Sequence, residues 1–148
     1  MKKGIVGLSA ILAAACTTAP GQQAETVPPP GSNEMLRAGI SGIDGYEVII
    51  SDVVIPAGAT VPRHYHPGEE FVYVISGSAI HVEQGKPDVE IKAGDGFVIE
   101  PKAIHAPRGG PDGARAIVFR VHVADQPERI LVDEAHTQAL GEEAGHHH

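Results

Sequence analysis

Tryptophan is absent from this 148-residue chain, and three phenylalanines with three tyrosines make up its whole aromatic content. Without aromatic side chains interleaved among basic ones there is no platform on which unpaired bases can stack. A net charge of −8, with no basic stripe, also removes the electrostatic ground for holding a phosphate backbone. Both absences exclude nucleic acid as a partner, and the acidic excess reads as solubility. Cys16 is the single cysteine, so no intramolecular disulfide can form, and the fold must stand on its core or on a metal. The apolar run at the N-terminus, Ile5 to Ala15, is shorter than the roughly 20 residues that cross a bilayer as a helix.

What the N-terminus does have is two lysines ahead of that short apolar run, in MKKGIVGLSAILAAACTTAPG, which is the pattern of an export signal over residues 1–15. Cys16, closing LAAAC, resembles the lipidated cysteine of bacterial lipoproteins. The leucine usual three places before it is Ala13 here, and Leu12 stands one earlier. The resemblance implies an exported, periplasmic protein, anchored to a bacterial membrane by lipid on Cys16; otherwise the cysteine is an incidental part of a discarded signal. Residues 16–43 are rich in Pro, Gly, Ser, Thr and Gln and lack a sustained apolar period, so they read as a flexible tether.

From Tyr46 onward, short β-type runs alternate with turn signals: YEVIISDVVI, PAGAT, EFVYVIS, AIHVEQ, GKPD, VEIKAGDGFVIEP and ARAIVFRVHVA. Strands recurring about every ten residues between Gly and Pro predict an all-β sandwich or barrel over residues 44–132. RGGPDGAR, from Arg108 to Arg115, reads as a turn with no phosphate cradle, because no strand-to-helix step follows it. The tail, residues 133–148, allows one short helix before three terminal histidines that a frayed end cannot organise around a metal.

The chemistry concentrates in GATVPRHYHPGEEFVYVISG, Gly58 to Gly77. Alternation along a strand puts His64 and His66 on one face, and the break at Pro67 and Gly68 brings Glu70 towards them, with Val72 and Val74 on the carboxylate's side. Two imidazoles and a carboxylate are a partial ligand set for a divalent transition metal. His105, in AGDGFVIEPKAIHAPRGG, is the candidate for the missing nitrogen. Read from these residues alone, two histidines on the wet face of a sheet remain the competing account.

The spacing Gly58, His64, His66, Glu70, Gly77 resembles the first motif of the cupin superfamily at every position, and Gly94, Pro101 and His105 resemble the second. Lys102 replaces the usual glycine, and Gly109 stands where asparagine is often found. The resemblance runs from about Tyr46 to Val123 and is nearest to small single-domain, quercetinase-like cupins. It implies an antiparallel jelly-roll barrel with a metal inside, ligated by His64, His66, Glu70 and His105. One iron, manganese, nickel, copper or zinc per chain would satisfy that set. The implied function is a small metalloenzyme acting on an enol or hydroxy-carbonyl compound, as a dioxygenase, isomerase or lyase, with Glu70 as a general base. The alternatives are a lipid-tethered module that binds a small ligand or metal ion without turnover, and a purely structural metal.

His81 and His122 stand opposite Ile80, Val82 and the apolar Ile117, Phe119, Val121 and Val123, so both are expected to face solvent; if the interior is the polar side, Arg120 and His122 become substrate contacts beside Val72 and Val74. Phe71, Tyr73 and Ile75 make the alternate face too apolar to leave bare, which predicts a homodimer.

Overall fold

The computed structural model describes residues 26–133. Every regular element among them is a β-strand: β1 (Gly31–Ile40), β2 (Ile43–Ile55), β3 (His64–Tyr65), β4 (Glu70–His81), β5 (Val89–Lys92), β6 (Gly96–Ile99), β7 (Arg108–Val123) and β8 (Ile130–Leu131). The large sheet runs β1-β2-β7-β4-β5, with β6 also on β4, and β3 pairs with β8 in a small second sheet. All pairings are antiparallel. Single bridges tie His64 and Glu83 to His105 and Thr60 to Arg108, fastening the loops of the small sheet over the large one. This is the all-β architecture expected from the strand spacing, and its open antiparallel sheet is consistent with the jelly roll that the cupin resemblance implies.

Two local readings are corrected. Residues 31–40, placed in the tether, form β1, an edge strand paired with β2 from Gly31↔Val54 to Ile40↔Ile43. It is exposed at nearly every position, so burial imposes no alternation on its sequence. Arg108 to Arg115, read as a turn, is instead the irregular start of β7: Gly109 pairs with Ala79 and Ala114 with Gly77, so residues 110–113 bulge out opposite Ser78. Gly77 makes this possible, because its φ is +70° and a Cβ there would lie 2.0 Å from the Gly113 carbonyl oxygen. The export signal, Cys16 and the possible C-terminal helix lie outside the described residues.

The bulges in β4 also reverse its alternation. Glu70 and Val74 are buried at even positions, whereas past the register shifts at Val74/Ser76 and Gly77/Ala79 the buried residues are Ala79 and His81. In β7 the inward positions are Ala114, Ala116, Val118, Arg120 and His122, and Phe119 is left exposed. His81 and His122, each 3% exposed, therefore face inward, contrary to the solvent-facing expectation, and Arg120, at 7%, faces inward as the alternative of a polar interior expects. The physical reason is that these strands keep their bulky apolar side chains outside and small or charged ones within.

Candidate metal centre

β3 delivers His64, the loop after it His66, the first residue of β4 Glu70, and the loop between β6 and β7 His105. The main chains of His64 and His105 hydrogen-bond to each other in both directions, at 3.1 and 2.9 Å, so the two ligand-bearing segments are clamped together before any ion is involved. The Lys102 amide donates to the His66 carbonyl oxygen at 2.9 Å, which ties the turn before His105 to the same segment. Lys102 has φ +62°, the left-handed conformation for which glycine is suited. The lysine at this motif position thus keeps the glycine's backbone at the expense of local strain.

One nitrogen of each of His64, His66 and His105 comes within 4.8 Å of the others, and all three residues are buried. Their Nδ1 atoms are occupied by main-chain carbonyls: Pro62 at 2.6 Å for His64, Glu128 at 2.5 Å for His66 and Ala103 at 2.8 Å for His105. A carbonyl only accepts, so each ring donates from Nδ1 and presents the Nε2 lone pair to the centre. Among the described residues, His66 Nε2 is the one fully buried side-chain polar atom without a hydrogen-bond partner. A buried acceptor left bare costs about 1–3 kcal/mol, and a bound cation removes that cost. The donor set therefore fits a divalent transition metal.

Glu70 stands beside the three nitrogens. Its carboxylate lies 3.3 Å from His66 Nε2 and 3.4 Å from His105 Nε2, and it accepts from Arg120 Nε at 2.5 Å. Burial would raise its pKa, but His105 and the Arg120 charge more than offset this and hold it at about 2. Burial and the neighbouring His105 push His64 down to about 4, and burial, followed by the Arg120 charge, lowers His66. At neutral pH the site thus offers an ionised carboxylate with His64 and His66 as neutral imidazoles.

The centre opens into a cavity of about 500 Å³, lined by Val72, Val74, Phe97, Ala114 and Ala116 as well as by the cluster, His81 and Arg120. Of the sequence-predicted pocket residues, Val72, Val74 and Arg120 reach this cavity. His122 is buried but does not line it; its Nε2 lies 3.0 Å from the Gln126 carbonyl oxygen. Two participants were not anticipated. Glu128, in the loop between β7 and β8, gives its carbonyl to His66 and its carboxylate to Arg120, at 2.9 Å, and to Arg37, at 3.2 Å. Nothing in the sequence near Glu128 marks it. Glu83 holds His81, and its place two residues beyond that histidine was the available signal.

The family model of the cupin domain Cupin_2 matches residues 51–120. No curated protein sequence matches the chain. Among solved structures it is similar to the DMSP lyase DddQ from Ruegeria pomeroyi DSS-3, at TM-score 0.52 and 23% identity, covering 68% of this chain and 52% of that one. The chain thus spans about half the length of that relative. It is also similar to an uncharacterised conserved protein with a double-stranded beta-helix domain from Klebsiella pneumoniae, at TM-score 0.51 and 20% identity, covering 73% of this chain and 91% of that one. Motif spacing, jelly-roll topology and a buried three-histidine cluster agree with these matches: residues 51–120 carry a small cupin domain with a candidate metal site.

Proposed function

We propose that the protein is an exported metalloenzyme acting on a small enol or hydroxy-carbonyl compound in the cavity beside the histidine cluster. The observation that carries this reading is the orphaned His66 Nε2 among rings whose other nitrogens are all engaged. His64, His66 and His105 would hold the ion, with Glu70 as the fourth ligand, and the ion would supply Lewis-acid polarisation of a ligand oxygen. Arg120 orients Glu70 from behind and holds its carboxylate ionised beside the cavity. The apolar wall formed by Val72, Val74 and Phe97 excludes water and favours a slim ligand. The reaction can be dioxygenation, isomerisation or lyase chemistry, because each begins with the same activation. The fold likeness to a DMSP lyase is the reason to include DMSP in a substrate screen. Export and a lipid anchor at Cys16 rest on the N-terminal sequence, and pairing into a homodimer rests on the exposed Phe71, Tyr73 and Phe119.

Elemental mass spectrometry of the purified full chain, beside a His64→Ala/His66→Ala variant, tests the centre. About one iron, manganese, nickel, copper or zinc per chain is expected, falling to near zero in the variant. Metal in neither protein, even after reconstitution, would sink the reading. Metal without turnover of any enol, hydroxy-carbonyl or DMSP substrate, with or without dioxygen, would favour the non-catalytic binding module.

A further inference from the structure

The cavity wall carries a second ionisable device to which the cluster gives no role. His81 ends β4 with its ring centre 4.6 Å from that of Phe97 and 5.8 Å from that of His105. Its orientation is the reverse of the ligand histidines. Here Nε2 is the occupied nitrogen, 2.9 Å from Glu83 Oε2, and the acceptor is a carboxylate, not a carbonyl. Glu83 is itself buried, at 8% exposure, and its other oxygen meets Lys86 Nζ at 2.7 Å. The Lys86 side chain is 58% exposed, so Lys86, Glu83 and His81 form a line from the surface to the cavity.

An ionised carboxylate against Nε2 fixes the ring proton there and leaves Nδ1 with its lone pair. Among the described residues Nδ1 has no hydrogen-bond partner, yet it is not sealed off as His66 Nε2 is. A histidine backed by a carboxylate, in the wall of a ligand-sized cavity, has the parts of a general base. Glu70 is less free for that work, because Arg120, His66 and His105 already surround its carboxylate.

We propose that His81 is a catalytic base of this cavity, positioned by Glu83, which takes a proton from a small hydroxy-carbonyl ligand held at the histidine cluster; this rests on the metal-centre reading above. A C–H bond beside the carbonyl breaks, the proton passes to Nδ1, and the electron pair enters the carbonyl to give an enolate. The imidazolium keeps its Nε2 proton on Glu83. Return of a solvent-derived proton from Nδ1 to the same carbon restores the ligand, and no oxidant or reductant is consumed.

The test uses the full chain loaded with zinc, its metal content measured, and hydroxyacetone as the probe in D2O. Proton NMR should show α-hydrogen exchange above that of buffer with free zinc. His81→Gln should lower the rate about 100-fold with zinc content unchanged. Glu83→Gln should lower it about 10-fold, and Glu83→Asp should recover part of the loss. Long-range proton–nitrogen NMR of the wild-type protein should place the His81 proton on Nε2, a readout independent of turnover. Wild-type exchange in His81→Gln, no exchange by the zinc-loaded wild type, or a His81 proton on Nδ1 would each overturn the proposal. A chain that takes up no zinc overturns the metal-centre reading as well, so metal content separates the two failures.

Discussion

Phe119 and Arg120 are neighbours in sequence and opposites in environment. Phe119 is 37% exposed on the outside of β7, beside Phe71 at a ring-centre distance of 6.2 Å, while Arg120 is buried against Glu70. The contrast extends across the sheet, because register lines up Leu36, Ile50, Phe119, Phe71 and Val98 over five strands on the outer face. Among the described residues, by contrast, ten polar or charged residues are buried against nine hydrophobic ones. A domain of this size that places charge within and aromatic rings without has not arranged its interior for stability alone. The inner face gathers the candidate metal ligands around a cavity, and the outer face is left apolar and exposed.

Removing the inner cation should have the largest effect. Arg120→Leu leaves Glu70 buried without its counter-charge, and urea unfolding of the metal-free protein should show a loss of about 3–5 kcal/mol. Adding Glu70→Gln should restore much of that loss; if it does not, the ion pair is not what the inner face depends on.

Acidification attacks the same face more gradually. His64 is held below its ordinary 6.5, at about 4, and Glu70 below 4.5, at about 2. The unfolded chain therefore binds these protons first. The stability His64 contributes is full above pH 6.5 and drains away towards pH 4, and that of Glu70 drains from pH 4.5 towards pH 2. Urea midpoints of chelator-treated protein should fall across that window, and a flat profile would contradict the sign.

Relieving the strained turn should act in the other direction. Lys102→Gly places the residue suited to φ +62° beside the ligand loop and should stabilise the protein by on the order of 1 kcal/mol, read as a raised Tm. An unchanged or lower Tm would mean that the lysine's conformation carries no strain.

The smallest effect on the fold itself should come from the outer face. Phe119→Lys should leave the circular dichroism spectrum and metal content unchanged while light scattering shows the mass halved from dimer to monomer. A wild-type protein that is already monomeric would show that a second copy does not cover this face.

The inside of the molecule was legible in the sequence wherever alternation ran unbroken. His64 and His66, one residue apart, and Glu70 with Val72 and Val74 all lie on the sides that period-two counting assigns them. Counting failed past Val74 because the extra residue at the Val74/Ser76 register shift reverses the parity of β4, and nothing in ISGSA announces that His81 returns to the interior. It failed for His122 for a different reason, since the more apolar face of β7 is the outer one. β1 left no pattern to count, because an edge strand exposed on both sides has no preferred face. Glu128 acts through its main-chain carbonyl as much as its side chain, and a carbonyl leaves no trace in residue identity.

That carbonyl also orders events in time. His66 is aimed by residue 128, and His105 is clamped to His64 by main-chain bonds across 41 positions of sequence, so the three nitrogens converge only after nearly the whole domain has come together. An ion cannot nucleate such a fold from a local hairpin, as it does in small zinc-dependent domains. A bound ion would therefore act on an assembled domain, slowing its opening more than hastening its formation.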